Sequence, residues 1–171
     1  LIQTKDNGAQ PIRWVGSRRM SGARLFAMPK LRPVRISSGV LADGLPDDDL
    51  VVSPQHRILV KGPVAQELFN TPEVLVAAQD LINGDSITVD MKLREVTYIH
   101  VLLDCHQVMW ANGVETESFH PASAALGSLD EADRKRLLAT HPELEYDPHT
   151  YGSFARRNLS ASEAAILNHA A

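Results

Sequence analysis

The sequence predicts a mainly β domain of short strands, followed by a helical extension at the C-terminal end. Short runs of β-branched and aliphatic residues recur over residues 1–122, with turn-forming residues between them. The composition then changes near His120 and Pro121, and pairs of Ser and Glu spaced as in helix N-termini follow. We therefore expect a β domain over residues 1–122 and a helical extension over residues 123–171.

The strands follow from these runs in order. Asp6-Asn7-Gly8 predicts a hairpin turn, because its central residues tolerate positive φ. The strands on either side are expected over residues 1–5 and 11–15. Further strands are expected over residues 34–36, 50–52, 56–60, 74–77, 86–89, 95–103 and 107–111, with a turn at Asn112-Gly113.

Two capping boxes predict helices in the extension. Ser128 with Glu131 predicts a helix over residues 129–140, and Ser160 with Glu163 predicts one over residues 161–170. Four aliphatic side chains are expected to pack these helices on the sheet: Leu137, Leu138, Ile166 and Leu167.

Composition limits the classes of function. The formal net charge of −4 argues against a dedicated nucleic-acid-binding protein. Seven basic residues and no acid lie over residues 7–42, and we interpret them as a solvated basic hairpin beside an acidic loop. The alternative is a patch that binds phosphate groups or nucleic acid. The seven residues are Arg13, Arg18, Arg19, Arg24, Lys30, Arg32 and Arg35.

The chain has one cysteine, Cys105, and this excludes an internal disulfide and every multi-cysteine metal site. No apolar run approaches the length of a membrane span, and no signal peptide is recognisable. Because the chain begins at Leu1 rather than Met, we expect a fragment or a processed product, and the location stays open between secreted and cytoplasmic.

The segment LVVSPQHRILV, over residues 50–60, carries the most informative chemistry. Pro54 between Ser53 and His56 interrupts strand pairing and predicts a turn. A hydroxyl and an imidazole held together at the edge of an apolar scaffold can polarise a carbonyl and exchange a proton with it. The alternative is a turn that only ends a strand.

A second candidate segment is Asp104-Cys105-His106. Adjacent strand residues point to opposite faces, so Cys105 is expected to be an inert apolar residue. Asp104 either fixes the tautomer of a histidine or simply ends the strand. Three histidines with Asp104 would suffice chemically for a zinc ion, but the spacing does not require one and we expect no metal or cofactor. The histidines in question are His56, His100 and His106, while His120, His141, His149 and His169 are expected at the surface.

Three segments together resemble the bacterial form of the Hint (Hedgehog/intein) domain. LVVSPQHRILV resembles its Thr-x-x-His block, with Ser53 in the place of Thr and His56 in the place of His. VLVAAQDLINGDSI resembles its Gly-Asp turn, and EVTYIHVLLDCHQVMWANGVETES resembles its C-terminal block. The resemblance covers residues 1–122.

This resemblance implies a horseshoe of two related β halves and a self-processing reaction. A cysteine at the start of such a domain attacks the preceding peptide carbonyl, and water or a thiol resolves the resulting thioester. His56 would activate the scissile amide, Ser53 would hold the oxyanion, and His106 with Asp104 would handle protons later. The implied partner is the polypeptide fused in cis at the N-terminal junction.

The chain also departs from the family pattern. The initiating cysteine would lie before Leu1, so we expect the chain as given to be inactive. No terminal Asn follows Asn112-Gly113, so we expect cleavage at the N-terminal junction only. The alternative is a non-cleaving adaptor module in a larger secreted protein.

Overall fold

The computed structural model describes residues 1–123 and 126–170, and its strands form three sheets. The largest has seven strands in the order β12-β7-β6-β11-β10-β1-β2, and all its pairs are antiparallel except β12 with β7. Strand β3 pairs with β9, and β4 lies between β5 and β8. The strands are β1 Ile2–Thr4, β2 Gly8–Gln10, β3 Trp14–Met20, β4 Val34–Ile36, β5 Leu50–Val52, β6 Arg57–Lys61, β7 Glu73–Ala77, β8 Ile87–Val89, β9 Val96–Leu102, β10 Val108–Ala111, β11 Val114–Glu117 and β12 Arg157–Asn158.

The first hairpin returns earlier than the sequence predicts. Strand β2 begins at Gly8, which has a φ of 63°, and Ile2 pairs with Gln10. The return strand predicted over residues 11–15 is therefore wrong. Pro11 has no N–H to give to a ladder, and Trp14 instead opens β3, which pairs with β9 from Leu102 onward.

The second hairpin adds a strand that the sequence analysis did not predict. Asn112 and Gly113 have φ values of 48° and 80°, as a type I′ turn requires. The chain therefore returns as β11 beside β10, and Thr116 pairs with Ile58 of β6. This register places Glu117 next to Arg57.

The helices only partly follow the sequence prediction. Helix α3 begins at Glu131 with Asp130 at the N-cap, two residues later than predicted, and the side chain of Ser128 lies outside the described residues. Helix α4 has the predicted capping box, since the Ser160 N–H donates to Glu163 Oε2 at 2.8 Å. Helices α1 and α2 were not predicted. The α-helices among the described residues are α1 Gly22–Ala27, α2 Pro63–Phe69, α3 Glu131–Thr140 and α4 Ala161–Ala170.

Helices α3 and α4 pack on different strands. Leu137 is buried beside Trp14 and Leu102, with Leu138 partly buried at the same cluster. Leu167 is buried against the cluster that contains Val74 and Val76. Ile166 is 55% exposed, so its predicted packing on the sheet is wrong. The domain boundary near residue 122 stays a prediction.

The basic segment is spread over several elements and is not the solvated hairpin predicted. Arg13 lies just before β3, Arg19 within it and Arg35 in β4, and each forms an ion pair with a carboxylate. Arg18 instead faces the cleft described below. None of the helices within residues 1–123 and 126–170 has the length and apolar character needed to span a bilayer.

Candidate functional site

A cleft of about 830 Å³ lies where several parts of the chain meet. The turn between β5 and β6, strand β9, and the end of β11 with the segment after it contribute to its lining, together with residues from 28–31 and from 126–149. Both residues of the predicted catalytic turn line it, and so do polar residues from the other parts. The candidate functional residues in this lining are Ser53, His56, His100, Glu117 and His120, and Arg18 also lines the cleft.

Backbone hydrogen bonds fix the turn that carries Ser53 and His56. The His56 N–H donates to the Ser53 carbonyl at 3.0 Å, which closes the turn around Pro54. The Ala78 N–H donates to the His56 carbonyl at 2.9 Å and the Gln79 N–H donates to the Pro54 carbonyl at 2.9 Å. The turn is thus anchored to the end of β7, and its two functional side chains stay directed at the cleft.

Within the described part of the chain, neither the ring nitrogens of His56 nor the Ser53 hydroxyl form a hydrogen bond. Burial lowers the pKa of His56; Glu117 partly offsets this, while Arg57 and His106 lower the pKa further. The ring is therefore neutral near pH 7 and free to accept a proton.

His100 reaches the same cleft from β9, the adjoining wall. Its ring lies against Phe119, with 4.9 Å between ring centroids. Burial lowers the pKa of His100 to about 4, with smaller contributions from the nearby His56 and Arg18. Two imidazoles with lowered pKa values thus face one cavity.

Glu117 is the functional residue that the sequence analysis missed. It is 5% exposed and lines the cleft from the end of β11. Its Oε1 accepts a hydrogen bond from the Arg57 N–H at 3.1 Å, whereas Oε2 has no hydrogen bond of good geometry. Burial by itself raises the pKa of Glu117, but the nearby His106 N–H and the electrostatic contributions of His56, Arg57 and His106 outweigh it and lower the pKa.

A signal for Glu117 was present in the sequence. An Asn-Gly hairpin turn requires a returning strand, so residues 114–117 had to pair with β10. In that strand Glu115 and Glu117 lie on one face. Glu115 pairs with Lys5 and Lys61, while Glu117 is enclosed at the cleft.

His106 is fully enclosed and lies outside the cleft. Its Nδ1 accepts a hydrogen bond from the Ala155 N–H at 3.0 Å, so Nε2 carries the ring proton and lies 3.1 Å from the Ser118 carbonyl. Nε2 is also 3.3 Å from Glu117 Oε2. The ring thus ties the chain near Ala155 to β11.

Asp104 and Cys105 are also away from the cleft. The Asp104 carboxylate accepts two hydrogen bonds from the Arg13 guanidinium, at 2.7 and 2.9 Å. This hydrogen bonding lowers the pKa of Asp104. Strand β9 already ends at Leu102. The Cys105 thiol is exposed and accepts a hydrogen bond from Gln107, so it is not part of the apolar core. The expectation that Cys105 is chemically inert stays a prediction.

His120 is buried, so its predicted place at the surface is wrong. Its ring stacks on Phe154 with 4.0 Å between centroids, and its Nε2 lies 3.0 Å from the Gly152 carbonyl. The later part of the chain folds back over this position, which a local reading of the sequence does not reveal. His149 and His169 are exposed, and His141 is half-buried.

No group of three or more His, Cys, Asp or Glu side chains within residues 1–123 and 126–170 is arranged to hold a metal ion. Two of the potential zinc ligands are engaged elsewhere. Asp104 pairs with Arg13, and both ring nitrogens of His106 are bonded to backbone groups.

The fold and the cleft together define a β-rich domain with a preformed cavity lined by histidines. The family model of the Hint domain matches residues 1–123. The chain belongs to this family, as the resemblance of its three sequence segments predicts. Searches among curated proteins and among solved structures gave no match.

Proposed function

We propose that this chain is a Hedgehog/intein-type autoprocessing domain that cleaves the peptide bond at its N-terminal junction. The observation that supports this most directly is that Ser53 and His56 line one cleft with both side chains free of hydrogen bonds to described residues. A free hydroxyl and a neutral imidazole are what acyl transfer at an amide requires.

The proposed reaction is an N–S acyl shift followed by hydrolysis or thiolysis. A cysteine thiol attacks the carbonyl carbon before it, the C–N bond breaks, and a thioester forms. His56 takes the thiol proton and gives it to the leaving nitrogen, while the Ser53 hydroxyl donates to the oxyanion. Water or a thiol then releases the acyl group and restores the cysteine thiol.

The proposal takes the nucleophile from a segment N-terminal to Leu1. Cys105 is the one cysteine of the sequence, and it is exposed and does not line the cleft. The chain as given would then hold the activating residues without the attacking group. The proposal includes the two-halved horseshoe that the family resemblance implies, and late proton handling by His106 and Asp104 stays part of the hypothesis to be tested.

The test is a fusion that places a reporter protein and the natural upstream segment, with its cysteine, before Leu1. We expect hydroxylamine or a thiol to release the reporter, with the junction identified by mass spectrometry. His56→Ala should lower the cleavage rate by at least about 100-fold, the usual contribution of a general acid–base group.

His169→Ala is the matched control, because His169 is exposed on α4 and does not line the cleft. It should cleave like the unmodified fusion. Equal cleavage in His56→Ala would remove His56 from the mechanism. A folded fusion that never cleaves would favour the adaptor function instead.

A further inference from the structure

We propose that Glu117 is a positioning residue whose carboxylate stabilises the protonated form of His56. The inference rests on the proposed function, since it assigns Glu117 a part in the same proton transfer. Glu117 and His56 line the same cleft, Glu117 from the end of β11 and His56 from the turn just before β6. The function is therefore attributed to a pair rather than to a single imidazole.

The unequal bonding of the two carboxylate oxygens is the main evidence. Oε1 is held by the Arg57 N–H at 3.1 Å and by Arg57 Nη1 at 3.4 Å. Oε2 is buried, lies 3.3 Å from His106 Nε2, and has no hydrogen bond of good geometry among the described residues. A buried carboxylate oxygen without a well-aligned hydrogen bond costs folding free energy, so a carboxylate kept there indicates a use other than stability.

The surroundings of Glu117 explain why its charge matters to His56. Four titratable or charged groups lie near His56 and affect its protonation. They are Glu117 on β11, Arg57 at the start of β6, His106 before β10 and His100 on β9. Arg57 and the two histidines oppose a proton on His56, and Glu117 favours one. Glu145 is the other described carboxylate that lines the cleft, and it is paired with Arg134 at 2.9 Å.

The proton count of the step balances with Glu117 ionised throughout. The thiol proton moves to the His56 ring as the S–C bond forms, which makes an imidazolium. The same proton then passes to the leaving nitrogen as the C–N bond breaks, and His56 is neutral again. Glu117 exchanges no proton; its negative charge lowers the energy of the imidazolium between the two transfers.

The test is a titration of the His56 ring by ¹H–¹³C NMR on the 171-residue chain, with the signal assigned from a His56→Ala spectrum. In Glu117→Gln the shape is retained and the charge is lost. We expect the midpoint of the His56 titration to move to lower pH. An unchanged midpoint in a folded Glu117→Gln protein would overturn the proposal.

Glu115→Gln is the matched control. Glu115 lies two residues away on the same strand, pairs with Lys5 and Lys61, and does not line the cleft. Its loss should leave the His56 midpoint unchanged. If Glu117→Gln does not fold, Glu117→Asp replaces it, because the shorter side chain withdraws the charge; a midpoint equal to the wild type's would again reject the pairing.

The titration separates this inference from the proposed function, since it needs no cleavage. A shifted midpoint in a chain whose fusion never cleaves would keep the pair and reject autoprocessing. In a cleaving fusion, Glu117→Gln should lower the rate by about 100-fold, within the range of a general acid–base contribution. Its pH profile should move toward acid together with the His56 midpoint.

Discussion

The turn at residues 53–56 and the segment at residues 104–106 read alike in the sequence but differ in the structure. Each places a histidine just beyond an aliphatic strand, next to a second polar residue. His56 faces a cavity with its ring free of hydrogen bonds to described residues, while His106 has both ring nitrogens occupied by the backbone. The difference leaves the His56 ring, and not the His106 ring, available to exchange a proton with a group in the cleft.

The largest expected effect on stability comes from His106. His106→Ala leaves a cavity and frees the Ala155 N–H and the Ser118 carbonyl, so we expect the free energy of unfolding to fall by about 3 kcal/mol. Urea denaturation measures this loss. His56→Ala, which breaks no such bonds, should cost less than about 1 kcal/mol. If both variants lost a similar free energy of unfolding, His106 would not differ from His56 in its contribution to stability.

Ser53 tests the catalytic side of the comparison. Ser53→Ala removes the free hydroxyl at the cleft, and we expect cleavage of the upstream fusion to slow by about 100-fold, as for loss of one oxyanion donor. Ser160→Ala serves as the control, because Ser160 lies at the start of α4 and away from the cleft. A Ser53→Ala fusion that cleaves at the normal rate would leave the oxyanion to backbone donors.

The pH dependence of stability sharpens the description of the cleft. The pKa of His100 is lowered to about 4, so below its unfolded pKa of about 6.5 the unfolded chain binds a proton that the folded chain does not. Stability is therefore lost as pH falls, by about 2 kcal/mol between pH 7 and 4.5 after allowance for the partial exposure of the ring. Urea titrations at both pH values should show a smaller loss in His100→Gln, and parallel losses would contradict the shift.

The smallest effect is expected at Asp104. Its carboxylate is paired with Arg13 at the surface, and such pairs contribute little. Asp104→Asn should leave the thermal midpoint within experimental error, and its cleavage rate tests the late proton handling proposed for Asp104. An unchanged cleavage rate would remove Asp104 from the mechanism.

Local signals predicted the parts of the fold that depend on neighbouring residues. Runs of β-branched and aliphatic residues located β4 to β9 within one or two residues, and Pro54 marked the turn that carries His56. The Ser160–Glu163 box marked α4, because a capping box is made by residues three apart. The return strand predicted over residues 11–15 was wrong because residues 14–20 pair with β9 instead.

The sequence by itself determined the turns and most of the strands. It also determined that a hydroxyl and an imidazole lie on either side of Pro54 in one turn. Only the tertiary structure decided that His100 and Glu117 face the same cavity as His56, and that His106 and His120 are enclosed. The physical reason is range: turns and caps arise from contacts within a few residues, whereas the cleft depends on strand pairing between distant segments, where Thr116 meets Ile58.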